Sequence, residues 1–171
     1  MSGSQVSQND VVVGLGSNLG DRRSTLHMAV RALADLGSVA KLSHLYESAP
    51  VGPPQPDFLN AAARLVTALS PADLLDRLLE IERSAGRERR VRWGPRTLDL
   101  DILWIRGRCV FSPSLTVPHP ELCRRAFALL PLLDVAPDAV DPTTGVPYAN
   151  WLSKADASGV RRAQTETFDL A

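Results

Sequence analysis

Two aspartates, Asp99 and Asp101, are separated by one residue in an apolar segment of the 171-residue chain. Side chains of a strand alternate between its faces, so a strand here would place both carboxylates on one face and Leu98, Leu100 and Ile102 on the other. Adjacent carboxylates repel each other, and burying them without a partner is costly. Mg²⁺ relieves both problems, and it typically binds carboxylates together with substrate phosphates and water. The pair therefore indicates a magnesium site; the alternative is a solvent-facing polar side of an edge strand.

A strongly basic segment leads directly into this predicted strand. Residues 83–96 contain six arginines and one acid, Glu88, which gives a net charge of +5 in 14 residues, and they also contain Trp93. Arginine binds phosphate groups bidentately. Arginines beside a magnesium site favour a polyphosphate substrate, because the two together stabilise charge during phosphoryl transfer. Taken alone, the segment could also be a solvated loop or an RNA-binding patch.

A third set of residues could bind a flat heterocycle. Phe58 and Asn60 alternate on a predicted strand after a proline-rich loop, and Phe127 follows a pair of arginines. Two aromatic rings from different elements could sandwich a planar ring, with the Asn60 amide matching its hydrogen-bonding edge. The alternative is that both phenylalanines are core residues. His119, in another proline-rich loop, is either a surface residue or a ligand contact.

The glycine-rich stretch Gly14–Asp21 follows a short apolar strand and is predicted to be a turn. It departs from the dinucleotide-binding G-x-G-x-x-G pattern because Leu19 stands at the third glycine position, and the chain contains no G-K-[ST] sequence. We therefore interpret the stretch as structural, although Asn18 could reach into a site. No G-x-S-x-G motif or zinc-ligand spacing is present.

The elements that must position these residues follow from hydrophobic spacing, glycines and prolines. In order, they are a strand at 11–13, a helix that ends before Gly37, strands at 39–46 and 58–69, a helix that begins at Pro71, and a strand at 98–105. A short strand at 109–111 and a helix over 127–135, broken by Pro131 or beginning there, come after them. The order βαββαβ predicts an α+β ferredoxin-like sandwich, in which helices pack on an antiparallel sheet.

Composition limits the remaining possibilities. Hydrophobic residues make up 44% and charged residues 22%, as in a globular domain, and 19 basic residues balance 19 acidic ones. This neutrality argues against a general nucleic-acid-binding surface. We expect no membrane span, no secretory signal and a cytoplasmic location, where the two cysteines stay reduced. The expected organisation is a flexible tail at 1–10, one domain at 11–152 and a C-terminal extension at 153–171.

The run RWGPRTLDLDI at 92–102 resembles the signature of the 6-hydroxymethyl-7,8-dihydropterin pyrophosphokinase family. Further landmarks occur in the same order: GSNLG at 16–20, Tyr46 with VGP at 51–53, PDFLN at 56–60, LTVPH at 115–119 and RAF at 125–127. The resemblance covers about residues 11–151.

The resemblance implies that ATP donates its β,γ-pyrophosphoryl group to the hydroxymethyl oxygen of the pterin, leaving AMP, in folate biosynthesis. By matching position, Asp99 and Asp101 would bind two Mg²⁺ ions, and Arg87 and Arg96 would stabilise the transferred group. The residues implied in ATP binding are Glu82, Arg89, Trp93, Ile102, Thr116, His119 and Arg125. Those implied in pterin binding are Ser48, Ala49, Val51, Phe58, Asn60, Trp93 and Phe127.

Several positions depart from the family pattern, among them Phe58 in place of a common tyrosine, Leu79, Ser114 and Pro120. These changes bear on substrate contacts and not on the reaction. We expect the loops at 47–57 and 86–97 to close over the substrates and exclude water. The expected partners are ATP and the pterin, with neither nucleic acid nor membrane; association with a dihydropteroate synthase stays open. The alternative functions are a nucleic-acid-binding ferredoxin-like module and an inactive scaffold relative.

Overall fold

The computed structural model of the protein describes residues 7–86, 94–163 and 168–169. Its main sheet has the strand order β5-β1-β4-β3-β8, and β2 also pairs with β4. The strands are β1 (Asn9–Ser17), β2 (Ser38–Leu42), β3 (Tyr46–Ser48), β4 (Phe58–Thr67), β5 (Asp99–Ile105) and β8 (Val160–Arg162), and all their pairings are antiparallel. A separate two-stranded sheet consists of β6 (Val110–Phe111) and β7 (Thr116–Val117).

Among the residues that the structure describes, three α-helices pack on this sheet. They are α1 (Arg22–Ala34), α2 (Pro71–Ser84) and α3 (Ala126–Val135). The Asp21 side chain accepts a hydrogen bond from the Ser24 amide and caps α1, and Ser70 caps α2, in which a proline occupies the first turn as predicted. Helices α1 and α2 lie on one face of the sheet and α3 lies on the other.

The central part of the chain has the predicted ferredoxin-like order, with β2 and β3 together in the place of the second strand. A single strand over 39–46 was expected, and that detail is wrong. The backbone N–H of Ser43 donates to the Ala62 carbonyl, and its hydroxyl accepts from the Ala62 N–H. Because the hydroxyl takes the place of a backbone acceptor, the strand is interrupted there and resumes at Tyr46.

The first strand also differs from the prediction. It extends from Asn9 to Ser17, so the expected flexible tail at 1–10 is wrong for its last two residues. Gly14 and Gly16 belong to this strand and not to a turn, which is confined to the residues after Ser17. The apolar residues that alternate with the glycines, Val13 and Leu15, are buried beneath α1 and α2 and keep the strand in the sheet.

Helix α3 continues through Pro131, so the prediction that the helix breaks or begins at this proline is wrong. Because proline has no backbone N–H, Pro131 removes one hydrogen bond of the helix. The buried side chains of Leu129, Leu132 and Val135 pack on the sheet and outweigh that loss, since helix stability in proteins comes mainly from tertiary packing.

Part of the expected C-terminal extension belongs to the main sheet. Strand β8 pairs with β3, and Phe168 is buried with its ring 5.0 Å from that of His27 in an edge-to-face contact. Within the described residues, no helix has the length and apolar character needed to span a membrane.

Candidate active site

The candidate site is a cavity on the sheet face that α3 partly covers. Opposite residues of antiparallel strands point to the same face, and Gly16 on β1 lies opposite both Asn60 on β4 and Asp99 on β5. Gly14 likewise lies opposite Asp101. The sheet register therefore places the predicted carboxylate pair and the predicted amide on one surface.

Ten predicted site residues line this cavity. They come from β3, β4, β5, α3 and the connecting loops: Ser48, Ala49, Val51, Phe58, Asn60, Arg96, Asp99, Asp101, Arg125 and Phe127. The structure thus brings the predicted heterocycle-binding residues and the predicted metal-binding residues into one space. Arg87, Arg89 and Trp93 lie outside the described residues.

Gly14 and Gly16 of β1 form the floor of the cavity, a role that was not predicted from the sequence. A Cβ atom at Gly16 would lie 3.5 Å from Asn60 Oδ1 and 3.7 Å from Phe58 Cδ1. A Cβ atom at Gly14 would meet the Leu103 side chain at 3.1 Å. Because glycine has no side chain, these two positions leave the space of the cavity open. The sequence pattern that could have indicated this role is a strand in which glycines alternate with buried apolar residues. Leu103 and Ala128 are further lining residues that were not predicted.

One group of lining residues is suited to a planar polar ligand. Asn60 is buried, with its Nδ2 donating to Ser48 Oγ at 2.8 Å and to the Tyr46 carbonyl at 3.4 Å. These bonds hold the amide in one orientation. Phe58 from β4 and Phe127 from α3 line the same space, and the guanidinium of Arg125 lies 5.8 Å from the centroid of the Phe127 ring. Apolar faces with one oriented amide fit a flat heterocycle.

A second group of lining residues, Arg96, Asp99 and Asp101, carries both positive and negative charge. Arg96 Nη1 donates to Asp99 Oδ2 at 3.0 Å, and the two side chains are 29% and 24% exposed. Such partial exposure leaves both groups accessible from the cavity. Within the ranges that the structure describes, no three His, Cys, Asp or Glu side chains form a group able to hold a metal ion. The two aspartates fit a hard cation only if a bound phosphate or water supplies the remaining oxygens.

Four of the residues predicted to bind ATP are not among the residues that line the cavity. Glu82 is buried at the end of α2, where Oε1 accepts a hydrogen bond of 2.8 Å from the Leu100 N–H and joins the helix to β5. The Ile102 side chain is buried in the core on the α1 and α2 face. Thr116 lies in β7. Their contacts with ATP stay predictions.

His119, the fourth, follows β7. Its backbone N–H donates to the Leu103 carbonyl at 2.9 Å, and Nδ1 accepts from the Glu121 N–H at 3.2 Å. Burial lowers the pKa of the imidazole, and nearby Arg125 lowers it further. The ring is therefore neutral at pH 7, with Nε2 carrying the proton, and it can offer that N–H to an acceptor.

Asn18, for which the sequence allowed a place in the site, is buried immediately after β1 and is not among the cavity-lining residues. Its side chain forms hydrogen bonds with Gln55, Pro56 and Arg96. It connects the two segments that flank the cavity.

Comparison with known proteins identifies the family of the chain. Residues 12–137 match the family model described as 7,8-dihydro-6-hydroxymethylpterin-pyrophosphokinase. A 2-amino-4-hydroxy-6-hydroxymethyldihydropteridine pyrophosphokinase of Synechocystis is 42% identical over 87% of this chain and 77% of its own length. The enzyme of the same name from Bacillus subtilis is 40% identical over 90% of this chain and 89% of its own. The mitochondrial folate synthesis bifunctional protein of Arabidopsis thaliana is 45% identical, but the match covers only 27% of it.

Solved structures support the fold. A Plasmodium falciparum HPPK-DHPS structure with pterin and p-hydroxybenzoate superposes with a TM-score of 0.72 at 16% identity, over 94% of this chain and 47% of that one. This chain therefore spans less than half of that protein. The structural similarity confirms the predicted α+β ferredoxin-like sandwich. The family prediction made from residues 92–102 is also confirmed. By the extent of the family match and the identity to full-length relatives, the chain belongs to the 7,8-dihydro-6-hydroxymethylpterin-pyrophosphokinase family.

Proposed function

We propose that this protein transfers the β,γ-pyrophosphoryl group of ATP to the hydroxymethyl oxygen of 6-hydroxymethyl-7,8-dihydropterin, releasing AMP, as a step in folate biosynthesis. The observation that carries the proposal is a single cavity lined by Phe58, Asn60 and Phe127 and also by Arg96, Asp99 and Asp101. The first group suits a pterin and the second a metal-bound triphosphate.

The pterin would lie between the rings of Phe58 and Phe127. Stacking on aromatic faces favours a flat heterocycle, and the Asn60 amide, held by Ser48 and the Tyr46 carbonyl, can read its hydrogen-bonding edge. Ala49 and Val51, from the loop after β3, also line the cavity. In this arrangement the hydroxymethyl group would point toward Asp99 and Asp101.

Asp99 and Asp101 are the residues that would hold Mg²⁺, and we expect two ions when ATP is bound. The metal would neutralise the triphosphate and orient it for attack. Arg96, which now donates to Asp99, can donate in the same way to a phosphate oxygen. Its charge would then stabilise the transferred group, a role shared with Arg87 in the proposal.

The proposed reaction is a single displacement of AMP at the β-phosphorus of ATP. The hydroxymethyl oxygen bonds to the β-phosphorus, the bond from that phosphorus to the oxygen bridging it to the α-phosphorus breaks, and AMP leaves with this oxygen. The proton of the hydroxyl group is lost to solvent or to a phosphate oxygen. The protein therefore contributes mainly orientation and charge stabilisation. Closure of the loops at 47–57 and 86–97, which would exclude water, stays part of the proposal.

Association with a dihydropteroate synthase is a further part of the proposal. The Plasmodium falciparum structures are HPPK-DHPS proteins, and the Arabidopsis relative is named a bifunctional protein. This protein could therefore meet the same enzyme as a partner. The cytoplasm is the proposed compartment, since Cys109 and Cys123 are both free thiols.

Nucleotide analysis tests the proposal. Purified protein is incubated with ATP, Mg²⁺ and 6-hydroxymethyl-7,8-dihydropterin, and the nucleotides are separated by chromatography. AMP should form only when the pterin and the metal are both present, and EDTA should stop it. Formation of ADP would mean transfer of a single phosphoryl group. Folded protein without any turnover would favour the inactive scaffold or the nucleic-acid-binding module.

A further inference from the structure

Arg22, the first residue of α1, lies on the sheet face opposite the candidate active site, where it lines a second cleft together with Leu59 and Glu47. Its Nη1 donates to the Asp57 carbonyl at 2.8 Å, and its Nη2 donates to Glu47 Oε1 at 3.1 Å. Glu47 belongs to β3, and Asp57 directly precedes β4. One guanidinium group therefore bonds to both ends of the loop at 47–57.

Each partner of Arg22 is followed by a residue that lines the candidate active site. Ser48 comes after Glu47 in the sequence. Phe58 comes after Asp57, and it lies directly opposite Ser48 in the pairing of β3 with β4. Neighbouring residues of a strand point to opposite faces, so Glu47 meets Arg22 on the α1 face while Ser48 lines the cavity. Arg22 thus holds, from behind the sheet, the backbone that carries two lining residues.

The loop between the two attachment points also lines the cavity, through Ala49 and Val51. Residues 49–57 include four prolines, which have no backbone N–H to donate. Holding a loop in its bound conformation raises ligand affinity, because less conformational freedom is then lost on binding. Bonds from Arg22 to both ends of this loop provide such a restraint.

The Glu47 carboxylate is itself held in place for Arg22. Its second oxygen, Oε2, accepts a hydrogen bond of 2.9 Å from Arg161 Nε on β8. The hydrogen bonds from Arg161 and then from Arg22 lower the pKa of the Glu47 carboxyl, so it is ionised at pH 7. The side chains of Arg22 and Glu47 are 30% and 22% exposed. An ion pair so exposed adds little to stability, and its main consequence is the orientation of the groups it joins.

Resting on the proposed function, we propose that Arg22 is a positioning residue for pterin binding. Its two N–H groups keep Ser48 and Phe58 in the arrangement that receives the pterin, although Arg22 is not among the residues that line the cavity. A guanidinium suits this role because its donors point in fixed directions toward two acceptors, whereas an ammonium is a compact point charge. Loss of the group should weaken pterin binding and leave nucleotide binding and the chemical step unchanged.

Steady-state kinetics of Arg22→Met test the proposal, since methionine keeps an aliphatic stem and loses both donors. The KM for the pterin at saturating ATP and Mg²⁺ should rise about three- to tenfold, the effect of losing about one net hydrogen bond. Values of kcat and of the KM for ATP should stay within about twofold of wild type, because only pterin binding is weakened. The pterin dissociation constant, measured by calorimetry with α,β-methylene-ATP and Mg²⁺ present, should rise by the same factor as the KM. This analogue cannot react, because carbon replaces the bridging oxygen that must leave.

Arg77→Met is the matched control. Arg77 is also a helix arginine and donates to Glu80 Oε2 at 2.6 Å in an exposed ion pair of α2, so this variant should keep the wild-type KM for the pterin. Arg22→Lys separates charge from geometry. It restores a positive charge beside Glu47 without the fixed pair of donors, so its KM for the pterin should stay raised.

A wild-type KM for the pterin in Arg22→Met would overturn the proposal, and so would a loss confined to kcat. Full recovery of the KM in Arg22→Lys would also overturn it, since charge alone would then suffice. A KM raised equally in Arg77→Met would mean that the effect is not specific to this position. Each of these results leaves pterin-dependent AMP formation by the wild-type protein intact. Absence of that reaction would instead refute the proposed function, so the two failures are distinguishable.

Discussion

Replacing Asp99 by asparagine should remove activity with little effect on folding. The ion pair of Asp99 with Arg96 is partly exposed, with side-chain exposures of 24% and 29%. Such pairs contribute about 0–1 kcal/mol to the free energy of unfolding. For a chain of 171 residues, 1 kcal/mol lowers Tm by about 2–4 °C, so Asp99→Asn should lower Tm by no more than about 4 °C.

The expected effect on catalysis is much larger. Asparagine has nearly the same shape as aspartate but lacks the charge that would bind Mg²⁺ beside the phosphates. Stabilisation of a phosphoryl group by a metal amounts to several kcal/mol, and each ~1.4 kcal/mol changes a rate tenfold. The value of kcat/KM for AMP formation should therefore fall by about 100-fold or more. The assay is chromatographic AMP formation at saturating Mg²⁺, paired with thermal unfolding of the same preparations.

Asp10→Asn is the matched control, because Asp10 is also a strand aspartate bonded to arginine. Arg64 donates to it at 2.7 and 2.8 Å, and Arg106 donates at 2.8 Å, away from the residues that line the cavity. Because Asp10 pairs with two arginines instead of one, its substitution should cost about 1–2 kcal/mol of unfolding free energy and leave kcat/KM unchanged. The reasoning is refuted if Asp99→Asn lowers Tm as much as the control does, or if it retains activity within about threefold of wild type.

Three further predictions concern the floor of the cavity, its aromatic wall and the pH dependence of stability. Gly16→Ala should leave Tm unchanged or slightly higher, since its Cβ would make an ordinary contact at 3.5 Å with Asn60 Oδ1, but it should raise the KM for the pterin in steady-state assays; an unchanged KM would contradict the floor assignment. Phe127→Ala should weaken pterin binding in calorimetry about two- to tenfold through lost stacking alone, whereas unchanged affinity would place the pterin elsewhere. The hydrogen bond from Arg64 lowers the pKa of Asp10 below 3.8, so its contribution to stability is complete above that pH and is lost as pH falls through the lower folded-state pKa. The Tm difference between wild type and Asp10→Asn should therefore shrink below pH 3.8, and a constant difference down to pH 2 would exclude this carboxylate as its source.

Local patterns predicted much of the sheet and of the candidate site. The period of two in a strand placed Asp99 and Asp101 on one face and Leu100 on the other, and the register with Gly14 and Gly16 agrees. The start of α2 at Pro71 was also predicted, because a helix start depends on a few neighbouring residues. The roles of the site residues in binding and catalysis stay predictions.

Other features depend on contacts between distant residues, which local patterns do not contain. Ser43 interrupts a strand only because its hydroxyl meets Ala62, and Pro131 is tolerated only because the rest of α3 is packed on the sheet. Strand β8 forms because it pairs with the free edge of β3. The partners of Asn18 are 37, 38 and 78 residues away along the chain, so its connecting role could be recognised only in the folded protein.

The most direct test of the central claim follows the terminal phosphate of ATP. The protein is incubated with Mg²⁺, 6-hydroxymethyl-7,8-dihydropterin and ATP labelled in its γ-phosphate, and the pterin and nucleotide products are separated. Transfer of pyrophosphate predicts that the label appears in the pterin product in an amount equal to the AMP formed. Label in the pterin together with ADP, or label only in inorganic phosphate, would contradict the proposed reaction.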